Sequence, residues 1–583
     1  MIKTLIVSFG KYTKFLILSC LFVTLEVLFD ILLPRYMGKL IDFGIESGSI
    51  ANTVHYGLIL VAFAAAATVT GILAGRFSAR ASSGFAKNMR RRIFEKVQTF
   101  SFSNIDYYST SGLVTRMTTD VSNVQMAVMM IIRTVLRAPL MIVFVLISAF
   151  SINKQLPIIY LCCIPVLLIA LCAIVRIVFP IMRRVFRVYD DMNNVVQENL
   201  HGIRVVKSFI REEHESKKFR KVAGTIRDLY IKSERIMALN HPIMQTCMHV
   251  VFLLVAWIGA KLIVASGNNP ELGMTTGYLM TMFTYSTQIL MSVMALSMIF
   301  TMITIARASA ERITEVLLDE SSIRNPEDPK TEVADGSIAF KGVKFSYRGE
   351  DGSAVLKDID LEIASGETVG ILGGTGSSKS TLVQLIPRLY DVTEGSVSVG
   401  GVDVREYDLT ALRSSVAMVL QKNELFSGSI KDNLRWGNEN ATDEEIVHAC
   451  RIAQADGFIR DFPDGYDTHI EQGGTNVSGG QKQRLCIARA LLTSPKVLIL
   501  DDSTSAVDTE TDAMIRRAFR DEMADVTKLI IAQRISSVQD ADKIIVLDEG
   551  EIIACGTHEE LLENSDVYRE VYESQLKGGE ENA

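Results

Sequence analysis

The stretch Gly373-Gly-Thr-Gly-Ser-Ser-Lys-Ser-Thr381 has the residue types and spacing to hold a polyphosphate. Before it, Thr368-Val-Gly-Ile-Leu372 is short, apolar and β-branched, which predicts a strand. After it, Leu382-Val-Gln-Leu-Ile386 predicts a helix. Strand, glycine-rich loop and helix make the setting of a P-loop, whose backbone N–H groups and helix N-terminus favour phosphate. In that setting Gly373, Gly374, Thr375, Gly376, Ser377, Ser378, Lys379, Ser380 and Thr381 are expected to cradle a polyphosphate. Lys379 reaches the β- and γ-phosphates, and the Ser380 hydroxyl ligates Mg²⁺. Ser378 stands where the pattern has its second Gly, and a Cβ there crowds the phosphate or strains the turn. Further on, Lys496-Val-Leu-Ile-Leu-Asp-Asp502 is a buried-type strand ending in two carboxylates. This is a Walker B arrangement, in which Asp501 holds the Mg²⁺; a pair of Asp at a strand end is also a common helix cap.

These motifs occupy one half of a chain whose two halves are unlike. It has 583 residues, 60 Lys and Arg against 67 Asp and Glu, and a formal net charge of −7. Hydrophobic residues make up 48% and charged residues 22%, with mean hydropathy +0.24, which excludes a disordered acidic chain or a basic nucleic-acid-binding tail. Eight Cys form no CxxC pair and no His-containing metal spacing, so no disulfide framework or zinc site is indicated. After about residue 330 the chain reads as a soluble α/β domain. Up to about residue 310 it carries six apolar stretches, each near the ~20 residues that cross a bilayer. They run roughly Phe15 to Leu33, Gly57 to Gly75, Val128 to Phe150, Leu156 to Phe179, Ile243 to Ala265 and Tyr278 to Ile305. Glu26 and Asp30 interrupt the first, which is too long for a cleavable signal peptide. A soluble ATPase is therefore excluded.

Basic residues orient the spans. Lys87, Arg90, Arg91 and Arg92 follow the second span, and Arg183, Arg184 and Arg187 follow the fourth. The stretches after spans one, three and five are poor in Lys and Arg, so both termini are expected in the cytoplasm. The two long cytoplasmic connections, 76–125 and 176–240, read as mostly helical. Glu26 and Asp30 share one face of the first span, as Arg133 and Arg137 do on the third. Charges at that depth face a cavity or a partner. Glu26 and Asp30 fall in the outer half and Arg133 near the inner end, which argues against direct pairing. Met280, Met282, Met291, Met294, Met298 and Met302 on the sixth span fit either an adaptable apolar cavity or ordinary core packing.

Between the two phosphate motifs lies Asn476-Val-Ser-Gly-Gly-Gln-Lys-Gln-Arg484, which resembles the signature sequence of ATP-binding cassette (ABC) transporters, with Val477 for the commoner Leu. The family's other motifs follow in order. Tyr347 matches the aromatic that stacks on adenine, Gln421 the Q-loop, Ser505 and Asp508 the D-loop, and Gln533 the H-loop, where the family has His. In the first half, 115–125 looks like the first coupling helix and its flank, and 197–209 like the approach to the second. The resemblance implies a type IV exporter half-transporter: a six-span α-helical transmembrane domain over 1–322, then an α/β P-loop nucleotide-binding domain over 323–583. It implies ATP and Mg²⁺ as cofactors, with Ser380, Gln421 and Asp501 on the metal, and Asp502, Gln533 and Gln421 at the hydrolytic centre. Ser478, Gly479, Gly480 and Gln481 would act across a dimer, on the partner's ATP.

Three positions depart from the family at one site. Asp502 replaces the Glu that activates water, Gln533 replaces the His at the γ-phosphate, and Ser378 perturbs the loop. Together they imply a site that binds ATP and hydrolyses it slowly, beside an intact signature that serves the other site. The resulting expectation is the degenerate-site subunit of a bacterial heterodimeric, multidrug-type exporter in the plasma membrane. Its partners would be a second, non-identical half-transporter, the lipid bilayer and a hydrophobic or amphipathic substrate, with no nucleic acid. The alternatives are a homodimeric slow lipid flippase and a nucleotide-gated channel or regulator.

Overall fold

The structure, a computed structural model, describes residues 2–269, 273–347, 349, 352–503 and 506–580. It divides into two compact units, Met1–Gln98 with Ser111–Asp319, and Thr99–Thr110 with Glu320–Ala583.

The first unit is all helix. Six helices are long and apolar enough to cross a membrane: Gly10–Ile45, Ile50–Val97, Thr110–Ile152, Leu156–His201, Glu212–Ser266 and Thr276–Leu296, the last continuing to Leu318. Each contains one of the expected apolar stretches. The second has 48 residues, about 72 Å at 1.5 Å per residue, so it runs far beyond any bilayer.

Where Pro34 breaks the helical ladder of the first span, neighbours restore it. Pro34 has no N–H to give to the Asp30 carbonyl, and Gln288 Nε2 donates to that oxygen at 3.1 Å. One turn away, Tyr285 Oη donates to the Ile31 carbonyl at 2.9 Å, and Thr281 Oγ1 to the Pro34 carbonyl at 2.9 Å. The first and sixth helices approach so closely at Gly38 and Gly277 that a Cβ on Gly277 would lie 2.1 Å from the Gly38 carbonyl. Beside this crossing, buried Asp42 accepts from Thr275 Oγ1 at 2.6 Å and from the Gly277 N–H at 2.8 Å.

One expectation is corrected in this unit. Arg137 does pair with both first-span carboxylates, with Glu26 at 3.3 Å and Asp30 at 2.6 Å, while Arg133 pairs with neither. The methionines divide between core and surface. Met282 is fully buried beside Tyr160, whereas Met280, Met291 and Met294 are exposed, and the Met298 side chain lies outside the described residues.

The second unit contains two main sheets. The antiparallel one orders Leu356–Ile363, Ile338–Phe345, Glu394–Val399 and Val402–Asp403. The other is parallel except at one edge, in the order Glu551–Gly556, Lys543–Asp548, Thr368–Leu372, Thr527–Ile531, Val497–Asp501 and Val416–Val419. Its central strands are buried on both faces, which explains why they read as unbroken apolar runs. The short helix Phe102–Tyr108 belongs to this unit although both flanking segments belong to the first. Tyr390 Oη donates to Asp106 at 2.7 Å, and the Phe102 ring stands edge-on to Tyr390 at 6.0 Å. Residues 115–125, which resemble the first coupling helix and its flank, lie in the first unit.

Candidate functional site

Strand order assembles the site. Leu372, Ile531, Asp501 and Val419 end neighbouring parallel strands, with Ile371 opposite Ile531, Ile531 opposite Asp501, and Val419 opposite Leu500. Ligands of open α/β sheets bind at these carboxyl ends. Gly373, Asp502, Gln533 and Gln421 each follow a strand end by one or two residues, so motifs far apart in the chain converge there.

The loop from Gly373 to Ser378 leads into the helix Lys379–Gln384. Lys379 Nζ folds back onto the loop, donating to the carbonyls of Gly373 and Gly374 at 2.8 Å each and to Ser377 Oγ at 3.3 Å. Burial pulls its ammonium below the ordinary value, against the opposing charges of Asp502 and Asp501. Ser378 adopts φ 73° and ψ 21°, a left-handed conformation that costs a non-glycine residue about 1–2 kcal/mol. Glycine regains this strain but loses about 0.5–1 kcal/mol of chain freedom. Ser378→Gly is therefore expected to raise the melting temperature slightly while leaving ATP affinity within about threefold, by direct titration of labelled nucleotide. Weaker binding in that variant would show that the Ser378 side chain contributes a contact.

Ser380 Oγ donates to Asp501 Oδ1 at 2.9 Å. Burial raises the Asp501 carboxyl above its ordinary value, the Ser380 hydrogen bond opposes this, and Asp502 adds to it. A cation here would relieve that cost. The donors are hard oxygens, and among the described residues no group of three His, Cys, Asp or Glu could form an all-protein metal cage. Both observations suit Mg²⁺, which binds through one or two carboxylates and substrate phosphates.

Asp502 receives two amides on one oxygen, Gln533 Nε2 at 2.9 Å and Gln421 Nε2 at 3.5 Å. Its backbone is left-handed, with φ 51°, which Asp tolerates better than most residues. Tyr347 is half exposed. Its hydroxyl lies 2.9 Å from Thr381 Oγ1, and its ring is packed edge-on by Phe345 and Tyr390, which fixes its plane. Nothing in the local sequence signalled Tyr390 as its support.

The signature lies apart from this cluster. Ser478 caps the helix Gly479–Leu491 in a reciprocal capping box with Gln481. Gly480 admits the next segment: a Cβ there would lie 2.8 Å from the Ala506 carbonyl. The Ala506 N–H donates to Gln483 Oε1 at 3.0 Å, which ties the D-loop to the signature helix. Asp508 caps the helix Thr509–Glu522 through the Thr511 N–H, and Ser505 lies outside the described residues.

Six apolar helices fused to a P-loop sheet with a signature helix define a membrane-embedded ATPase. Residues 16–293 match the ABC transporter transmembrane region family, and residues 356–505 match the ABC transporter family. The chain is 35% identical over 551 residues to an uncharacterised ABC transporter ATP-binding protein, YfiB, of Bacillus subtilis, covering 94% of each. It is 32% identical over 500 residues to an ATP-dependent lipid A-core flippase of Desulfotalea psychrophila, covering 85% of each. A solved bacterial Atm1-family ABC exporter with ATP bound shares its fold, with TM-score 0.81, 24% identity, and coverage of 97% of this chain and 98% of that one. The chain belongs to the ABC transporter family. It is a multi-pass half-transporter, one membrane region joined to one ATPase domain whose activity is coupled to transport.

Proposed function

We propose that this chain is the degenerate-site subunit of a heterodimeric exporter that moves hydrophobic or amphipathic compounds across the plasma membrane. The membrane domain would span 1–322 and the nucleotide-binding domain 323–583, with both termini cytoplasmic. The carrying observation is the Asp502 carboxylate, one methylene shorter than Glu and held by the Gln533 and Gln421 amides. Neither amide can accept a proton or carry a charge. The shortened carboxylate withdraws by about 1–1.5 Å from where a Glu would hold water, a displacement on the scale that costs ~100-fold in rate.

ATP binds here through the 373–381 loop and Tyr347. Ser380, Gln421 and Asp501 would hold Mg²⁺, which supplies neutralising charge at the phosphates when bound. Lys379 binds the β- and γ-phosphates, Asp502 orients water poorly, and Gln533 donates a hydrogen bond where a cation is absent. ATP at both sites closes the cassettes and favours an outward-facing membrane half. Hydrolysis at the partner's competent site resets it.

The test is ATPase turnover of the purified pair. Asp502→Ala is expected to change turnover less than threefold, whereas removing the partner's catalytic carboxylate lowers it by about 100-fold or more. Equal collapse from both changes would sink the degenerate-site reading. The similarity to lipid A-core flippases favours a second reading, a homodimeric lipid flippase. Copurification of an unequal second chain argues against it.

A further inference from the structure

The strand Thr527–Ile531 ends at the nucleotide site, and the chain leaves the sheet through Gln533 and Arg534 into the tight turn Ile535–Ser537. The Ala532 N–H still reaches the Ile371 carbonyl of the neighbouring strand, at 3.3 Å. Beyond it the ladder stops, so the backbone groups of 533–535 need other partners. One side chain supplies two of them. Gln575 Nε2 donates to the Gln533 carbonyl at 2.9 Å, and Gln575 Oε1 accepts from the Ile535 N–H at 2.9 Å. The two bonds straddle Arg534. A carboxamide matches them because it carries a donor and an acceptor side by side, as a peptide group does. The partners also fix its orientation. Turned over, its N–H groups would meet the Ile535 N–H, and its oxygen the Gln533 carbonyl.

The amide comes from a helix anchored in the core. Tyr568, Tyr572 and Gln575 recur at i, i+4 and i+7 along Asp566–Glu580, so they share one face. Tyr568 is buried in the same apolar core as Ile535, and Tyr572 packs against that core. The Tyr568 hydroxyl lies 2.6 Å from His558 Nδ1. At the far end of the turn, Ser537 Oγ donates to buried Asp512 at 3.1 Å. The turn is thus held at one end by Asp566–Glu580 and at the other by Thr509–Glu522. From its first end extends the Gln533 side chain, whose Nε2 donates to Asp502. Asp502 and Asp501 both lie within electrostatic reach of the Lys379 ammonium. A P-loop lysine reaches the β- and γ-phosphates, so Asp502 and Gln533 stand at the γ-phosphate end of the site.

We propose that Gln575 is a positioning residue for the nucleotide site. It fixes the Gln533 backbone so that the Gln533 amide faces Asp502 and the γ-phosphate, and the helix Asp566–Glu580 thereby sets how strongly this chain prefers ATP to ADP. Without the clamp, the backbone of 533–535 turns toward water for its hydrogen bonds, and the Gln533 amide faces the γ-phosphate for only part of the time. ADP has no γ-phosphate and does not sense the change. The proposal rests on the reading of this cluster as an ATP site and adds to it a residue from outside the motifs.

The experiment is equilibrium binding of a labelled non-hydrolysable ATP analogue and of labelled ADP, with Mg²⁺, to the purified full chain. Gln575→Ala is expected to weaken the ATP analogue by about two- to tenfold, the worth of one net hydrogen bond, and to leave ADP within about twofold. Gln575 is exposed, so its melting temperature should hold. Gln575→Asn keeps the amide on a stem one methylene too short and should behave as alanine. Gln575→Glu keeps the acceptor for Ile535 but sets a carboxylate against the Gln533 carbonyl. That carbonyl favours the protonated acid and raises it above the ordinary value of about 4.3. Gln575→Glu should therefore match the alanine loss at pH ~7.5 and recover toward pH ~5, where the acid donates to the carbonyl as the amide does. Each value is taken relative to the unmodified chain at the same pH, and Ser574→Ala on the same helix is the control. Equal loss of both nucleotides, or an unchanged preference in Gln575→Ala, overturns the proposal alone. A Gln575→Glu loss that is the same at both pH values assigns the effect to helix docking and also overturns it. An unmodified chain that binds no ATP analogue overturns the ATP-site reading, and the proposal with it.

Discussion

Replacing Ser478 by Ala, or Gly479 by Glu, is expected to lower ATP turnover of the assembled transporter by about 100- to 1000-fold, the loss seen when one donor to a developing charge is removed. The helix that begins at Gly479 is 13 residues long, and its N-terminal end carries partial positive charge. Its N-terminus is exposed, and no described contact joins it to the P-loop of its own chain. In the proposed dimer this end would face the partner's γ-phosphate. Ser478 already accepts from the Gln481 N–H at 3.2 Å, yet its hydroxyl proton remains available to phosphate. Alanine therefore removes two things, a cap worth about 1 kcal/mol and a phosphate donor. Ser478→Asp separates them, because Asp caps well and repels phosphate. It should leave the melting temperature unchanged and abolish turnover as fully as Ala. If Asp restored turnover, the cap alone would explain the effect. Gly480 supports the same end differently. Its missing side chain lets the Ala506 carbonyl approach, so a substitution there pushes the D-loop away from the signature helix.

The contiguous parts of this protein were legible before the fold, for a physical reason. A P-loop is read from one run of backbone, and 373–381 carries its own context of strand and helix. The six spans were legible because a bilayer demands long apolar runs and tolerates few substitutes. Features that depend on how one element is rotated against another were not. Arg137 and Glu26 lie on different helices, and linear depth alone suggested that the charges would miss each other. Only the azimuth of the third span, shifted by its π-helical turns, shows which Arg turns inward. The methionines of the sixth span likewise share a sequence pattern but not a face, because Met282 turns into the core around Tyr160. Tyr390 gave no signal, since its roles come from meeting Asp106 and Tyr347 across the second unit. The departures at 378, 502 and 533 were visible as letters, but their convergence depended on strand order. Gln533 reaches Asp502 from 31 residues away, and Gln421 from 81.

Lys379→Ala is expected to weaken ATP binding at this site by about ten- to hundredfold, the range for a lost charge-assisted contact of 1.5–3 kcal/mol. Its ammonium is desolvated and rests on two carbonyls and the Ser377 hydroxyl. Those neutral acceptors do not fully compensate burial, since the group is held below its ordinary proton affinity despite Asp501 and Asp502 nearby. A phosphate supplies the missing negative charge, so the lysine gains more on binding than a solvated surface lysine would. Alanine removes that gain and also frees the Gly373 and Gly374 carbonyls, which then face the incoming phosphate as bare acceptors. Lys379→Met keeps the stem and separates these effects. It should match alanine in affinity if charge dominates, and recover part of the loss if loop packing does. Tyr347→Ala should weaken adenine recognition with less effect on phosphate, so ATP affinity falls while affinity for inorganic triphosphate holds. The measurement is labelled ATP and triphosphate binding to the purified chain, with turnover of the pair recorded beside it. Unchanged ATP affinity in Lys379→Ala would mean that the left-handed Ser378 has already disabled the loop. If Lys379→Ala instead damaged turnover more than the Ser478 variants, the main hydrolytic site would be this chain's own. The division of labour between the two subunits would then have to be reversed.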